Sequence, residues 1–155
     1  CEIQDTGRPF YGVYYGQAAL PHAPERLFYL DNAVIRGLQV YNVETSSDIP
    51  VYDLGAAAGR DPYEMFLGGA RSIIRITNPN AAQERRLIIF RDSFGSSIAP
   101  LLAAGYSEIT LVDIRYISPL SLGKLIDFTK ADDALFLYSA SVINNSETIK
   151  GTSKN

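Results

Sequence analysis

The sequence contains no tryptophan, and in 155 residues it has one cysteine, one methionine and one histidine. A lone cysteine excludes an internal disulfide framework. One histidine and one cysteine also leave no cluster at metal-ligand spacing, so the sequence predicts no metal and no cofactor. Positive charge is not in excess: Lys and Arg number 14 against 17 Asp and Glu, a net charge of −3. Nothing therefore points to nucleic acid as a partner. Apolar runs are too short to span a bilayer, and no leader with a basic start and an apolar middle is present. Internal repeats and low-complexity tracts are likewise missing.

What remains is an ordinary globular composition, 46% hydrophobic and 20% charged, which predicts one folded domain over residues 1–155. Ten tyrosines and seven phenylalanines read as core and loop anchors, because their buried area alone explains them. The chain begins at Cys1 without an initiating methionine. That start predicts a segment of a longer protein or a processed chain, the cysteine of a mature lipoprotein being one such case.

Residues 1–8 are polar and read as loose. Phe10 to Tyr15 is aromatic and β-prone but interrupted by Gly12, with Gly16 just beyond it, and the prolines of Pro21-His22-Ala23-Pro24 predict a turn carrying a solvated histidine. Leu27 to Leu30, Val34 to Val43 and Ile49 to Leu54 read as short antiparallel strands separated by turn residues. Asp61-Pro62 starts a brief helix that Gly68-Gly69 ends, and Ser72 to Thr77 is a further strand. Asn144 and Asn145 cap a last helical turn before a polar tail from Ser146 to Asn155.

The organising stretch is Leu87-Ile88-Ile89-Phe90-Arg91-Asp92-Ser93-Phe94-Gly95-Ser96-Ser97. Four apolar residues in a row predict a strand buried on both faces, and the polar turn after them launches a helix over Ile98 to Ala104. A strand at Ile109 to Val112, a helix at Leu120 to Phe128 and a strand at Ala134 to Tyr138 follow. Strands alternating with helices imply a parallel sheet, with a βαβαβ core over residues 84–145 and a β-rich extension over 9–80.

In such a sheet three strand ends share one rim: Arg91-Asp92-Ser93, Asp113-Ile114-Arg115-Tyr116 and Ser139-Ala140-Ser141. Ser93 stands where a nucleophile is used, with the amides of Phe94 and Gly95 at the positive end of a helix as oxyanion donors. The same Asp-Ser pair also serves as an ordinary helix cap. Arg91 and Arg115 suit an anionic substrate group, with Asp113 beside them, or the three simply pair with one another. Asp113 lies about twenty residues beyond Asp92, the place of a ribose-binding acid in dinucleotide folds, but the glycine triplet for the pyrophosphate is absent.

Phe90-Arg91-Asp92-Ser93-Phe94-Gly95-Ser96-Ser97 and Gly105-Tyr106-Ser107-Glu108-Ile109-Thr110-Leu111-Val112-Asp113-Ile114-Arg115-Tyr116 resemble the later half of DHHW-family bacterial proteins. Tyr63-Glu64-Met65-Phe66-Leu67-Gly68-Gly69 and Phe10-Tyr11-Gly12 extend the resemblance from about Pro9 to Asn145. That family is similar to SGNH (GDSL-like) hydrolases and, more distantly, to alginate O-acetyltransferase proteins of the bacterial envelope. The resemblance implies a three-layer α/β fold with a parallel sheet of SGNH-hydrolase or flavodoxin-like type. It implies Ser93 as nucleophile with Asp92 beside it, and acyl transfer or ester hydrolysis on an O-acylated glycan or small-molecule ester in the cell envelope or outside the cell.

The Asp-His-His-Trp signature is missing from these residues, so the resemblance implies either that the histidine base lies in sequence upstream of Cys1 or that the base has been lost. Serine without a base is a weak nucleophile at neutral pH. A non-catalytic binding or scaffold domain on the same fold is the alternative expectation.

Overall fold

A computed structural model describes residues 1–12 and 23–145. The chain opens with β1 (Glu2–Phe10) and β2 (Glu25–Asp31), which pair antiparallel as a separate two-stranded ribbon. Cys1 is exposed at its start, where Asn32 Nδ2 donates to the thiol sulfur at 3.7 Å. A short helix α1 (Ala33–Arg36) leads into β3 (Gln39–Asn42) and β4 (Ser47–Ile49). After two 3-10 turns come β5 (Ile73–Thr77), β6 (Arg86–Arg91), α2 (Gly95–Leu102), β7 (Glu108–Val112), α3 (Pro119–Leu125), β8 (Asp133–Leu137) and α4 (Ala140–Asn144).

The main sheet has the order β4-β3-β5-β7-β6-β8. This corrects the expected three-layer parallel architecture. Only β7, β6 and β8 run parallel, while β5 pairs antiparallel with β7 and β3 pairs antiparallel with both β5 and β4. The sheet is mixed and the domain β-rich, with short helices that cover its faces only in part. The cause is the short link from Asn78 to Arg85. A parallel crossover takes about a dozen residues or more, so β5 and β6 run in opposite directions.

Within the parallel part, burial follows the strand period of two. Leu87, Ile89, Ile109 and Leu111 pack with Ala99 and Ala103 of the α2 segment on one face. Ile88 and Val112 pack with Leu122 of α3 on the other. The chain therefore leaves β6 toward one face and β7 toward the opposite face, which opens a crevice at the carboxyl ends of these neighbouring strands. A third cluster, Leu27, Ala57, Met65 and Phe66, joins the β1–β2 ribbon to the 3-10 turns.

Several local expectations differ from what forms. Residues 2–8 of the stretch read as loose belong to β1, and Val34-Ile35, read as extended, lie in α1. Asn32 accounts for the second difference: its side chain accepts from the Ile35 amide at 2.9 Å, and that cap starts a helical turn despite two β-branched residues. Asp61 caps its turn as read, accepting from the Tyr63 amide at 3.0 Å, but the turn is 3-10 over Pro62–Met65. The aromatic run beyond Gly12, His22 and the tail from Ser146 lie outside the described residues.

Candidate active site

The turn after β6 is built by its own aspartate. Asp92 is buried, and its Oδ1 accepts from the Phe94 amide at 3.0 Å, while its backbone carbonyl accepts from the Gly95 amide at 3.1 Å. Its Oδ2 accepts from the Ser139 amide at 2.6 Å, tying the end of β6 to the end of β8. Both carboxylate oxygens are thus held by backbone donors. The Phe94 and Gly95 amides, read as oxyanion donors, are the donors that shape this turn.

Ser93 lies on the outside of the turn, exposed, ahead of the helix rather than inside it. Its carbonyl accepts from the Ser96 amide at 3.1 Å. Among the described residues, no hydrogen bond engages its hydroxyl or its own amide. A primary hydroxyl next to a free N–H, at the carboxyl end of a parallel strand, is an arrangement in which a nucleophile and one oxyanion donor come from the same residue.

Gly95 makes the close packing beneath this turn possible. A Cβ there would stand 2.5 Å from Arg91 Cβ and 2.8 Å from Arg91 Cγ. Its absence lets the Arg91 side chain pass under the first turn of α2 into the crevice between β6 and β7.

In that crevice the charged residues of the rim meet. Asp113 is fully buried and takes a two-pronged contact from Arg115, Nε to Oδ1 at 2.8 Å and a terminal nitrogen to Oδ2 at 2.6 Å. Arg91 lies 3.8 Å from the same carboxylate and is 1% exposed. It donates to the Asp92 carbonyl at 3.3 Å and the Arg71 carbonyl at 3.4 Å, both long bonds, and among the described residues its Nε has no partner. Burial pulls the Arg91 guanidinium below its ordinary pKa, with Asp113 opposing that shift. Hydrogen bonding to Asp113 raises that of Arg115. Arg91, Asp113 and Arg115 therefore come together and pair with one another, and only Arg115, with a side chain 27% exposed, reaches solvent.

The sequence reading did not single out three neighbours. Arg71 arrives because antiparallel β5 delivers its amino-terminal end to this rim, where the Ser72 carbonyl accepts from the Asp113 amide at 2.8 Å. Tyr138 follows β8, and burial, then the negative charges of Asp113 and Asp92, raise its phenol pKa. The Tyr63 hydroxyl donates to Ser97 Oγ at 2.8 Å, and Ser97 in turn donates to the Phe94 carbonyl at 3.2 Å. Burial raises the Tyr63 phenol, and the Ser97 bond opposes it. The direction of β5 was the missing signal for Arg71; nothing local marks the Tyr63–Ser97 pair.

Among the described residues no cluster of His, Cys, Asp and Glu could hold a metal ion, and no helix is long and apolar enough to cross a membrane. The one histidine of the sequence, His22, lies outside them. A pocket of about 310 Å³ on the α3 face includes Arg86 and Glu108 in its lining, the first residues of β6 and β7. It lies at the strand ends opposite Ser93.

The chain shares its fold with a DHHW family protein and with PatB1. A DHHW family protein from Eubacterium siraeum superposes with a TM-score of 0.69 over 97% of this chain and 52% of its own, at 21% identity. PatB1 of Bacillus cereus, solved with a sulfonyl adduct, superposes with a TM-score of 0.65 over 92% of this chain and 48% of its own, again at 21% identity. A second PatB1 structure gives 0.62, with 80% and 43% covered and 25% identity. The chain spans about half the length of these bacterial proteins. No protein-family model matches the sequence, and no curated protein matches it.

Proposed function

We propose that this chain carries the nucleophile of an acyl-transferring or ester-hydrolysing enzyme acting on an O-acylated glycan of the bacterial envelope. The observation that carries the reading is Ser93: an exposed, unbonded hydroxyl beside its own unbonded amide, on a turn fixed from below by Asp92. A sulfonyl adduct on a structural neighbour adds support, since such adducts form where an activated nucleophile meets a sulfonyl electrophile.

Ser93 Oγ bonds to the acyl carbonyl carbon, the Ser93 amide receives the developing oxyanion, and the ester C–O bond breaks as the alcohol leaves. The hydroxyl proton passes through a histidine supplied by sequence beyond these residues to the departing oxygen. Water or a second alcohol then takes the acyl group from Ser93. Asp92 acts by holding the turn, and Arg115, paired with Asp113 but with part of its side chain in solvent, is the rim cation we assign to an anionic part of the glycan.

A second reading, a binding or scaffold domain, is favoured by a different observation. Both Asp92 oxygens and the Phe94 and Gly95 amides are engaged internally. The intact protein distinguishes the two when treated with a fluorophosphonate probe and with p-nitrophenyl acetate. Labelling and turnover that vanish in Ser93→Ala support the enzyme; an intact protein inert to both reagents supports the scaffold.

A further inference from the structure

The exposed apolar residues Phe94, Ile98 and Leu101 follow the i, i+4, i+7 spacing of one helix face, and they begin at the residue next to Ser93. Their stripe runs about 10 Å along α2 at the helical rise per residue. It enters a groove of about 620 Å³ between α2 and the β1–β2 ribbon, whose far wall is formed by Ile3, Phe28, Leu30 and Phe66.

Among the described residues the polar side-chain groups in that lining are three hydroxyls, and two are engaged internally. Tyr52 donates to the Leu30 carbonyl at 2.9 Å, and Ser97 is held between Tyr63 and the Phe94 carbonyl. Tyr29 contributes the third. Among the described residues the lining carries no charged side chain. A groove so composed offers little to a sugar or an anion and much to a hydrocarbon.

We propose that this groove binds the acyl chain of the substrate, so that the preferred donor carries an unbranched acyl group of medium length rather than acetyl. The assignment rests on Ser93 being the nucleophile. The stripe connects the two: an acyl carbon bonded at Ser93 Oγ leads its chain past Phe94 and along Ile98 to Leu101. A chain of about eight carbons matches the length of the stripe. Each added methylene that leaves water strengthens binding by about threefold to fourfold.

The test uses the intact protein in two independent arms. In the first, calorimetric titration with acetate, butyrate, hexanoate and octanoate reads binding without chemistry. Affinity is expected to rise with chain length, to survive Ser93→Ala, and to fall at least tenfold in Leu101→Trp, which fills the groove. Ile98→Asn, a milder change at a partly exposed site, is expected to weaken octanoate in the same direction. In the second arm, p-nitrophenyl esters of the same series are hydrolysed, and KM is expected to fall with length in the parent and not in Leu101→Trp.

Octanoate that fails to bind, or binds equally well to Leu101→Trp and Ile98→Asn, overturns the groove. Covering of the groove by another part of the protein gives that same failure. Octanoate binding with no ester turnover keeps the groove and removes the nucleophile. Turnover without any chain-length preference keeps the nucleophile and removes the groove.

Discussion

The Asp92 carboxylate accepts the Ser139 amide at 2.6 Å, across 47 residues of chain, and so fastens the turn bearing Ser93 to the start of the last helix. The same side chain caps Phe94 with its other oxygen. One buried residue thus sets the conformation of the turn and its position relative to β8.

Asp92→Ala is expected to destabilise the protein by about 2 kcal/mol, because it removes the acceptor of the part-buried Phe94 and Ser139 amides. Urea unfolding measures this. Asp92→Asn is expected to fall between the parent and Ala, since one acceptor remains while the amide NH2 opposes a second donor. Equal stability of all three would show that neither bond holds the turn.

Gly95→Ala tests the close approach of Arg91. The new methyl group meets the Arg91 stem at 2.5 and 2.8 Å, so either the helix start or the arginine must move. A loss of about 1–3 kcal/mol is expected, as for overpacked cores. The double variant Gly95→Ala with Arg91→Gly, which removes the Arg91 Cβ as well as its Cγ, is expected to show less than the sum of the two single losses, which urea titrations resolve.

Asp113→Asn removes the countercharge of two guanidinium groups at once. Arg115 has solvent to turn to, whereas Arg91 at 1% exposure has none. Breaking one side of a buried pair costs about 3–5 kcal/mol, and this variant belongs in that range. A parent-like unfolding midpoint would mean that the rim cluster contributes little to stability.

Alkaline stability depends on the buried phenols. Burial pushes the Tyr52 hydroxyl up to about 12 from its ordinary 10.0, with the charge of Asp31 adding to the effect. A raised folded-state pKa contributes stability that is complete below about pH 10 and lost as the pH climbs toward 12. Melting temperature is therefore expected to fall across that window, and Tyr52→Phe to flatten part of the fall. Tyr63, Tyr106 and Tyr138, raised in the same direction, contribute to the remainder. An unchanged slope in Tyr52→Phe would place the alkaline transition elsewhere.

The βαβαβ stretch was legible because its signals are local. Leu87-Ile88-Ile89-Phe90 is apolar on both faces, and the segments at Ile98 to Ala104, Ile109 to Val112, Leu120 to Phe128 and Ala134 to Tyr138 alternate with polar turns, so β6, α2, β7, α3 and β8 follow to within a few residues. The β1 strand was not legible, because in a two-stranded ribbon with both faces mostly exposed, no buried side imprints an alternation on the sequence. The direction of β5 was readable only through the shortness of the link to β6. That same direction brings Arg71 to the rim.

At the site, the position of Ser93 follows from the strand-to-helix turn, and the meeting of Arg91, Asp113 and Arg115 follows from the shared ends of β6 and β7. Their mutual pairing is one of the two readings the sequence leaves open, and the structure selects it. Whether a guanidinium points to a carboxylate within the crevice or outward to a ligand depends on a few ångströms of side-chain path, here opened by Gly95. The Tyr63–Ser97 contact joins residues 34 apart and has no counterpart in periodicity or spacing.

The exposed thiol of Cys1 at the head of the outer ribbon gives this chain one natural attachment point for a maleimide dye. Paired with a quencher introduced on the solvent side of α2, it would act as a molecular ruler across the ribbon-to-helix gap, reporting closure in solution as a change in fluorescence lifetime.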